Sequence, residues 1–397
     1  MHNVLILGGG KVGKSVAELL LACGRGAYSV TLADRDPANL ALARANIDRL
    51  RALSPHAIDF KPLPLDASDH GAVRAALKGH NAVVCMLPFD LVAGVADLAA
   101  DLGVHYFDVT EDVKATEGVR AVAQRAGLRS ALVPQCGLAP GYIAIAAHHI
   151  ARQFDALHEL TLRVGALPQF PTNALKYNIT WSAAGVVNEY CEPCRVMLDG
   201  EMVAVPALEG LERFSFNGVE YEAFYTSGGV GSLVETIVAE GKAGPTTRIA
   251  YKTIRYPGHR DLMKFLLQDM RLGEDEPGAR FNRRLAVELM EHAVPRTLQD
   301  VVVVFINGVG EREGRREQIN FMRAVPATTL FGRVWPAIEL TTAAGVCAMV
   351  DLHRLGKLPA AGLVRQEDCS LEQFNDTVFG LAYEDPARLE AAAIAKR

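Results

Sequence analysis

The sequence predicts an α/β chain in which a doubly wound parallel sheet is followed by a second, α+β domain with a mixed sheet. Three observations carry this. Strand-like and helix-like segments alternate strictly from residue 4 to about 135, a grammar that calls for right-handed crossovers and parallel strands. A glycine cluster, Gly8 to Gly13, occupies the first strand-to-helix turn. Beyond about residue 155 the alternation gives way to hairpin signals.

The elements follow in order. VLILG (4–8) is a short apolar strand ending in glycine, and Gly13 to Ala22 places Val16, Leu19 and Leu20 on one helical face. SVTLAD (29–34) is a second strand, and Pro37 suits the first turn of a helix running to Leu53. FKPLPLDA (60–67), AVVCMLP (82–88), HYFDV (105–109) and SALVPQCG (130–137) are the next strands, separated by helices at 70–79, 91–103 and 119–127. In the second domain Asp199-Gly200 and Asn217-Gly218 read as two-residue hairpin turns. RIAYKTIRY (248–256) and QDVVVVFI (299–306) are strands, and helices fit 261–270 and 281–294. A long helix with small residues spans 336–355, before a polar tail whose AAAIAKR end is either helical or frayed. The expected domains are 1–145, 146–335 and 336–397.

Composition narrows the function. The 397 residues carry 41 Lys+Arg against 46 Asp+Glu, a formal charge of −5, with half the residues hydrophobic. Such a chain buries a core and gives no general reason to seek nucleic-acid phosphates. Asp90 and Glu339 interrupt the best apolar runs, so no membrane span is expected. The opening VLILGGG lacks a basic leader region, so no signal peptide is expected, and seven cysteines suit reduced thiols in the cytoplasm. Cys191-Glu-Pro-Cys194 is one C-x-x-C without a second pair, and no metal site is expected. Arg312, Arg315 and Arg316 with Glu311, Glu313 and Glu317 read as a solvated turn, and His148-His149 as facing solvent or the second domain.

Gly8, Gly10 and Gly13 satisfy G-x-G-x-x-G between a strand and a helix, the context that gives the pattern meaning, so the first domain is read as a Rossmann dinucleotide-binding fold. Gly8 permits the turn, Gly10 lets backbone approach a pyrophosphate, and Gly13 lets helix and strand pack. Lys11 and Val12 lie in the same turn, where the helix start offers free N–H groups to phosphate. Asp34 closes the second strand 24 residues after Gly10, where a carboxylate accepts ribose hydroxyls and favours NAD. Arg35 follows and could pair with the 2′-phosphate of NADP instead. Asp66 is placed toward the adenine, and Met86, Leu87 and Pro88 toward the nicotinamide ribose.

Several stretches resemble the saccharopine dehydrogenase-like family: VLILGGGKVGKSVAELL, YFDVTED (106–112), PQCGLAPGYI (134–143), KYNITWSAAGVVNEY (176–190), EAFYTSGGVGSL (222–233), YKTIRYPGHRDLM (251–263), and TTAAGVCAMVDL with LVRQED (341–352, 363–368). The resemblance implies a Rossmann domain, a second domain with substrate contacts and a homodimer interface, and a final helix packed on the first domain. It implies hydride transfer between a nicotinamide and a carbon bearing an amine. TSGG and YKTIRYPGH look closer to lysine 6-dehydrogenase, and the C-terminal helix and VRQED to chains called saccharopine dehydrogenases.

That chemistry asks for cations for the substrate carboxylates and a group to handle a proton. Asp108 falls where the resemblance puts an active-site acid, with Thr110 and Glu111 in the same loop, and Cys136 ends the next strand. Lys176 and Tyr177 pair a cation with a phenol, near Trp181 and a possible cap at Ser182. Thr226, Ser227 and Gly228 could form an anion nest or a turn. Lys252 and Arg255 are three apart and point to opposite faces of a strand, so Arg255 is chosen for the α-carboxylate because of its planar fork. His259 is expected as an acid/base group, with a free pKa near ~6.5. The expected function is a dehydrogenase acting on saccharopine, a small amino acid. Lysine oxidation, polyamine-forming reductive amination and a coenzyme-sensing regulator are the alternatives.

Overall fold

A computed structural model describes residues 1–275 and 282–394. Phe281, where one helix was expected to start, and the final AKR lie outside the described residues. Packing divides the chain into two compact units: Met1–Ile145, Thr328–Trp335 and Glu339–Arg397 form the first, Ala146–Ala327 and Pro336–Ile338 the second.

The N-terminal run is β1 (His2–Leu7), α1 (Lys11–Cys23), β2 (Tyr28–Asp34), α2 (Pro37–Leu53), β3 (Asp59–Pro64), α3 (His70–Leu77), β4 (Ala82–Cys85), α4 (Phe89–Leu102), β5 (His105–Asp108), α5 (Val113–Ala123), β6 (Ala131–Val133) and α6 (Tyr142–Ala151). Aspartates begin three of these helices: Asp36, Asp69 and Asp112 accept from Ala38 N, Ala72 N and Ala115 N. Gly103, in the left-handed region at φ 69°, ends α4.

The second unit holds β7 (Ala156–Pro168), α7 (Ala183–Cys191), β8 (Cys194–Leu198), β9 (Glu201–Val205), β10 (Glu212–Phe216), β11 (Val219–Tyr225), α8 (Leu233–Ala239), β12 (Ala243–Arg255), α9 (His259–Lys264), a π-helical turn at Phe265–Asp269, α10 (Arg283–Ala293), β13 (Asp300–Arg312) and β14 (Arg315–Pro326). The chain then forms β15 (Thr328–Leu330), β16 (Arg333–Trp335), α11 (Ala337–Arg354), β17 (Gly362–Leu363), α12 (Leu371–Asn375), α13 (Leu381–Glu384) and α14 (Pro386–Ile394).

The first unit is a seven-stranded parallel sheet in the order β17-β6-β5-β4-β1-β2-β3. Strand order reverses between β1 and β4, and open α/β sheets bind ligands at such a switch point. Helices α3, α4 and α5 cover one face through Val73, Leu77, Val92, Val95, Ala99 and Val119, which pack on Leu5, Leu7 and Val83. The seventh strand comes from the polar tail, where Gly362 and Leu363 are too short a segment to show a period.

The second unit is a mixed sheet, β10-β11-β12-β7-β13-β14, with the β8–β9 hairpin joined through β8 to β12. Asn217 (φ 51°) with Gly218 (φ 76°), and Asp199 (φ 50°) with Gly200 (φ 79°), turn their hairpins with both central residues left-handed. The central strand β7 was passed over, although Leu160, Leu162 and Val164 alternate with Glu159, Thr161 and Arg163. Arg163 is the polar residue at the centre of that alternation. That side chain is buried, with its Nε 2.5 Å from Glu212 Oε1. The charged run at 311–317 is the solvated turn expected of it, at the tip of a hairpin. Glu313 and Gly314 reverse the chain at positive φ, while Arg315, Arg316 and Glu317 pair with Arg312, Glu311 and Gly310 in a long hairpin.

Candidate functional site

At the end of β1, Gly8 adopts φ +101°, and a Cβ there would lie 2.5 Å from Met86 O. A Cβ on Gly13 would lie 1.9 Å from Gly8 O, so α1 reaches this close to the turn only as glycine. Gly10 has nothing within 4 Å of a built Cβ, which leaves its backbone open to an approaching ligand. The cavity here is about 560 Å³ and is lined by Gly8, Gly10, Asp34, Arg35, Asp66 and Met86 through Pro88, among others. Lys11 and Val12 lie beside it, half-buried in the first turn of α1. An open glycine cradle at a helix start, at the switch point of a parallel sheet, fits a dinucleotide.

Asp34 holds this loop in shape. Its Oδ2 accepts from Gly9 N at 2.6 Å, and its Oδ1 from Asp36 N at 2.7 Å. Asn39 Nδ2 also reaches Oδ2, at 3.4 Å. Behind the loop, the buried Lys14 donates from Nζ to Gly9 O at 2.9 Å and to Asn39 Oδ1 at 3.3 Å. Asp66 is exposed and accepts from Ser68 N and Oγ, which hold its carboxyl below the usual range. Arg35 is exposed at the cavity rim.

Lys14 and Asn39 are functional neighbours that sequence reasoning passed over. The signal for Lys14 was present, because Gly8 to Ser15 also spells G-x-x-x-x-G-K-S, the pattern of a nucleoside-triphosphate loop. The geometry excludes that use. Lys14 is folded under the loop, and Ser15 Oγ donates to Lys11 O and lies 3.2 Å from Glu339 Oε2 while accepting from Arg333. Neither side chain is presented to a phosphate.

Asp108 is fully buried at the end of β5. Its Oδ1 accepts from Thr110 N (3.0 Å) and Gln135 N (2.9 Å), and its Oδ2 from the Tyr106 hydroxyl (2.8 Å). Burial raises its pKa to about 6 against the pull of those donors. These bonds let the carboxylate tie the ends of β5 and β6 together. Glu111, whose burial also raises its pKa, shares that loop, and Cys136 donates from Sγ to Asp108 O.

The second unit gathers a buried polar cluster. Arg255 is 3% exposed, and its guanidinium lies 5.1 Å from the Tyr177 ring centroid and 5.8 Å from that of Tyr190. Nε donates to the Tyr190 hydroxyl (2.8 Å) and Nη1 to Ile254 O (2.8 Å); Nη2 meets no acceptor among the described residues. The Tyr190 hydroxyl in turn lies 3.1 Å from His259 Nε2, while His259 Nδ1 lies 2.9 Å from Leu175 O. A carbonyl partner makes Nδ1 the donor, so Nε2 accepts from Tyr190. Lys252 instead meets Glu212 and Gly210 O, in a different cluster from Arg255, as alternation along a strand requires.

His259 is fully buried within this cluster. Burial first, then the neighbouring Arg255 charge, push its pKa down to about 3, leaving a neutral ring that orients Tyr190. Burial likewise raises the pKa of Tyr177, whose phenol is fully buried and stays protonated at neutral pH. Lys176 is exposed at φ 51°, and its Nζ donates to Pro257 O, which steadies the loop before His259. Trp181 is half-buried against the Tyr177 cluster, and Ser182 caps α7 by accepting from Gly185 N. Thr226 pairs with Thr253 at 2.7 Å, Ser227 N donates to Glu189 O, and Gly228 turns at φ 86°. The Ser227 N–H is thus used inside the chain, and Gly228 makes the turn after β11.

Tyr190 and Glu222 were missed as well. Glu222, buried opposite Arg255 in the β11–β12 ladder, accepts from Gly258 N (2.8 Å) and Arg260 N (2.7 Å) and so fixes the start of α9. Cys191 and Cys194 are free thiols raised by burial to about 11 and 12. His148 is buried against Glu240 of the second unit, 2.9 Å away, the second of its two expected surroundings.

A glycine-loop cavity at the switch point of a parallel sheet defines a Rossmann-type dinucleotide-binding protein. Residues 4–131 match the model of the saccharopine dehydrogenase NADP binding domain, and residues 137–380 that of the saccharopine dehydrogenase C-terminal domain. The chain belongs to the saccharopine dehydrogenase family. Over 284 residues it is 23% identical to a saccharopine dehydrogenase (NADP(+), L-glutamate-forming) of Pyricularia oryzae, covering 69% of this chain and 59% of that protein. The apo L-Glu-forming saccharopine dehydrogenase of Saccharomyces cerevisiae shares its fold, with a TM-score of 0.74, 17% identity and coverage of 96% of this chain and 97% of that one. NAD as the main coenzyme finds no support: the matching model is of an NADP binding domain. Among the described residues no helix is long and apolar enough to cross a membrane.

Proposed function

We propose that this protein is an NADP(H)-dependent oxidoreductase acting on the CH–NH group of a lysine-derived amino acid, with saccharopine as the leading substrate and a place in lysine metabolism. The observation that carries this reading is that both halves of the chain match models of one enzyme, saccharopine dehydrogenase. The coenzyme, held by Gly8, Gly10, Gly13 and the Asp34 loop with Arg35 at its rim, would supply hydride acceptance and donation at its nicotinamide ring. The chain's own part is binding and orientation. Arg255 keeps Nη2 for a substrate carboxylate, and Tyr190, set by the neutral His259, holds the guanidinium plane. Trp181 and the exposed Lys176 are proposed to border the amino acid.

The test supplies lysine alone with oxidised coenzyme, then saccharopine, and follows reduced coenzyme by absorbance. Turnover with saccharopine only is expected. Turnover on lysine alone replaces the assignment with lysine 6-dehydrogenation. Tight coenzyme binding with no turnover on any amine replaces it with a coenzyme sensor. A homodimer is also proposed, supported by half-buried aromatic side chains Phe214, Phe216 and Phe305 on the second sheet; light scattering that gives one chain's mass removes it. A cytoplasmic location is proposed on the free cysteines.

A further inference from the structure

We propose that Lys14 is a positioning residue for coenzyme choice: its ammonium, held behind the glycine loop by Gly9 and Asn39, offsets the Asp34 carboxylate and lets the cavity accept a coenzyme carrying a 2′-phosphate. The inference rests on the NADP(H) reading above and explains a conflict within it. The residues lining the cavity include Asp34, Asp36, Asp66 and Asp90 and the cation Arg35, with Lys11 beside them in the first turn of α1. A phosphate brought to that wall meets carboxylates, and a carboxylate at the end of β2 ordinarily disfavours it.

The compensating charge is out of sight of the cavity. Lys14 is 9% exposed, yet its Nζ reaches Gly9 O at 2.9 Å and Asn39 Oδ1 at 3.3 Å. Asn39 Nδ2 and Gly9 N both donate to Asp34 Oδ2, at 3.4 and 2.6 Å. Lysine, asparagine, aspartate and the loop backbone thus form one ring, in which the ammonium lies one residue's width behind the carboxylate on each path. In a half-buried setting such a charge acts over several ångströms with little screening. Burial draws the Lys14 ammonium below its ordinary range, while the carboxylates of Glu339, Asp34 and Glu18 hold its proton on.

Two roles for Lys14 separate cleanly. If it only pins Gly9, its loss loosens the loop and weakens both coenzymes alike. If it balances Asp34, its loss falls on the 2′-phosphate alone. The experiment titrates NADPH and NADH, by their fluorescence, into the full-length wild type, Lys14→Met and Lys14→Arg, each checked for folding by circular dichroism. Lys14→Met is expected to raise the NADPH dissociation constant roughly tenfold more than the NADH one, the scale of one nearby charge, with Lys14→Arg restoring the ratio. Equal weakening of both, or no change in the ratio, overturns the proposal. Should Lys14→Met fail to fold, Lys14→Gln, which keeps an N–H donor but no charge, is expected to shift the ratio the same way; an unchanged ratio overturns the proposal too. A wild type that binds neither coenzyme fails differently, by removing the coenzyme reading itself.

Discussion

At Gly13 a single methyl group decides whether the first turn closes. A Cβ there meets Gly8 O at 1.9 Å, a backbone atom that cannot swing aside. Gly13→Ala is expected to weaken coenzyme binding at least tenfold and to destabilise by about 2–4 kcal/mol, the range of overpacked sites with backbone strain; fluorescence titration and urea unfolding check both. Arg255→Ala is expected to raise the amino-acid KM by about two orders of magnitude with little change in coenzyme KM, as for loss of a charge-assisted carboxylate contact. An unmoved amino-acid KM in steady-state kinetics would exclude Arg255 from the substrate site. His259 carries the pH prediction. Its folded pKa, about 3, lies below the unfolded value near ~6.5, so the unfolded chain takes up a proton the folded one refuses. Stability from this group is present above about pH 6.5 and declines by up to about 1.4 kcal/mol per unit as pH falls toward 3. His2 and His105, pushed down to about 4 mainly by burial, add to the same slope over a narrower window. Urea midpoints measured from pH 7 to 4 should fall more steeply in the wild type than in His259→Gln.

Among the elements, α9 shows how a short helix is placed from outside its own sequence. It has six residues and no cap from its own Gly258, so its free N–H groups rely on Glu222 from β11. The same residue sits opposite Arg255 in the ladder, so a single buried acid fixes the loop beside the proposed substrate cluster. Glu222→Ala leaves the Gly258 and Arg260 N–H groups without that acceptor and is expected to cost about 2–3 kcal/mol. Its thermal midpoint should fall, and the amino-acid KM should rise while coenzyme affinity holds. The hairpins at Asp199-Gly200 and Asn217-Gly218 were legible because their turn chemistry is local. Glu222 was not, since nothing local marks one acid of a strand as buried.

For the whole chain, coenzyme binding and folding are linked. The cradle is built from β1, α1, β2 and the end of β4, so a ligand that holds it opposes unfolding of the first unit. At a hundredfold excess over the dissociation constant this amounts to about 2.7 kcal/mol. Differential scanning calorimetry with increasing NADPH should show a midpoint that climbs with concentration; a midpoint indifferent to coenzyme would contradict the site. The alternation of the central strand β7 is local, but the burial of its Arg163 is not: Glu212, 49 residues away, pairs with that cation, and the Phe305 ring lies 4.8 Å from it.

What the sequence by itself determined was whatever depends on neighbours in the chain: the alternation of strand and helix, the glycine turn after β1, the aspartate at the end of β2 and the two hairpin turns. Tertiary structure alone decided the roles of the polar residues. Asp108, expected to move protons, is buried under three donors, and His259 is emptied of its charge by desolvation. Lys14, unremarked in a helix, lies under the loop beside Asp34 and Asn39. Charge and protonation are set by what surrounds a group in space, and those surroundings come from residues tens to hundreds of positions away.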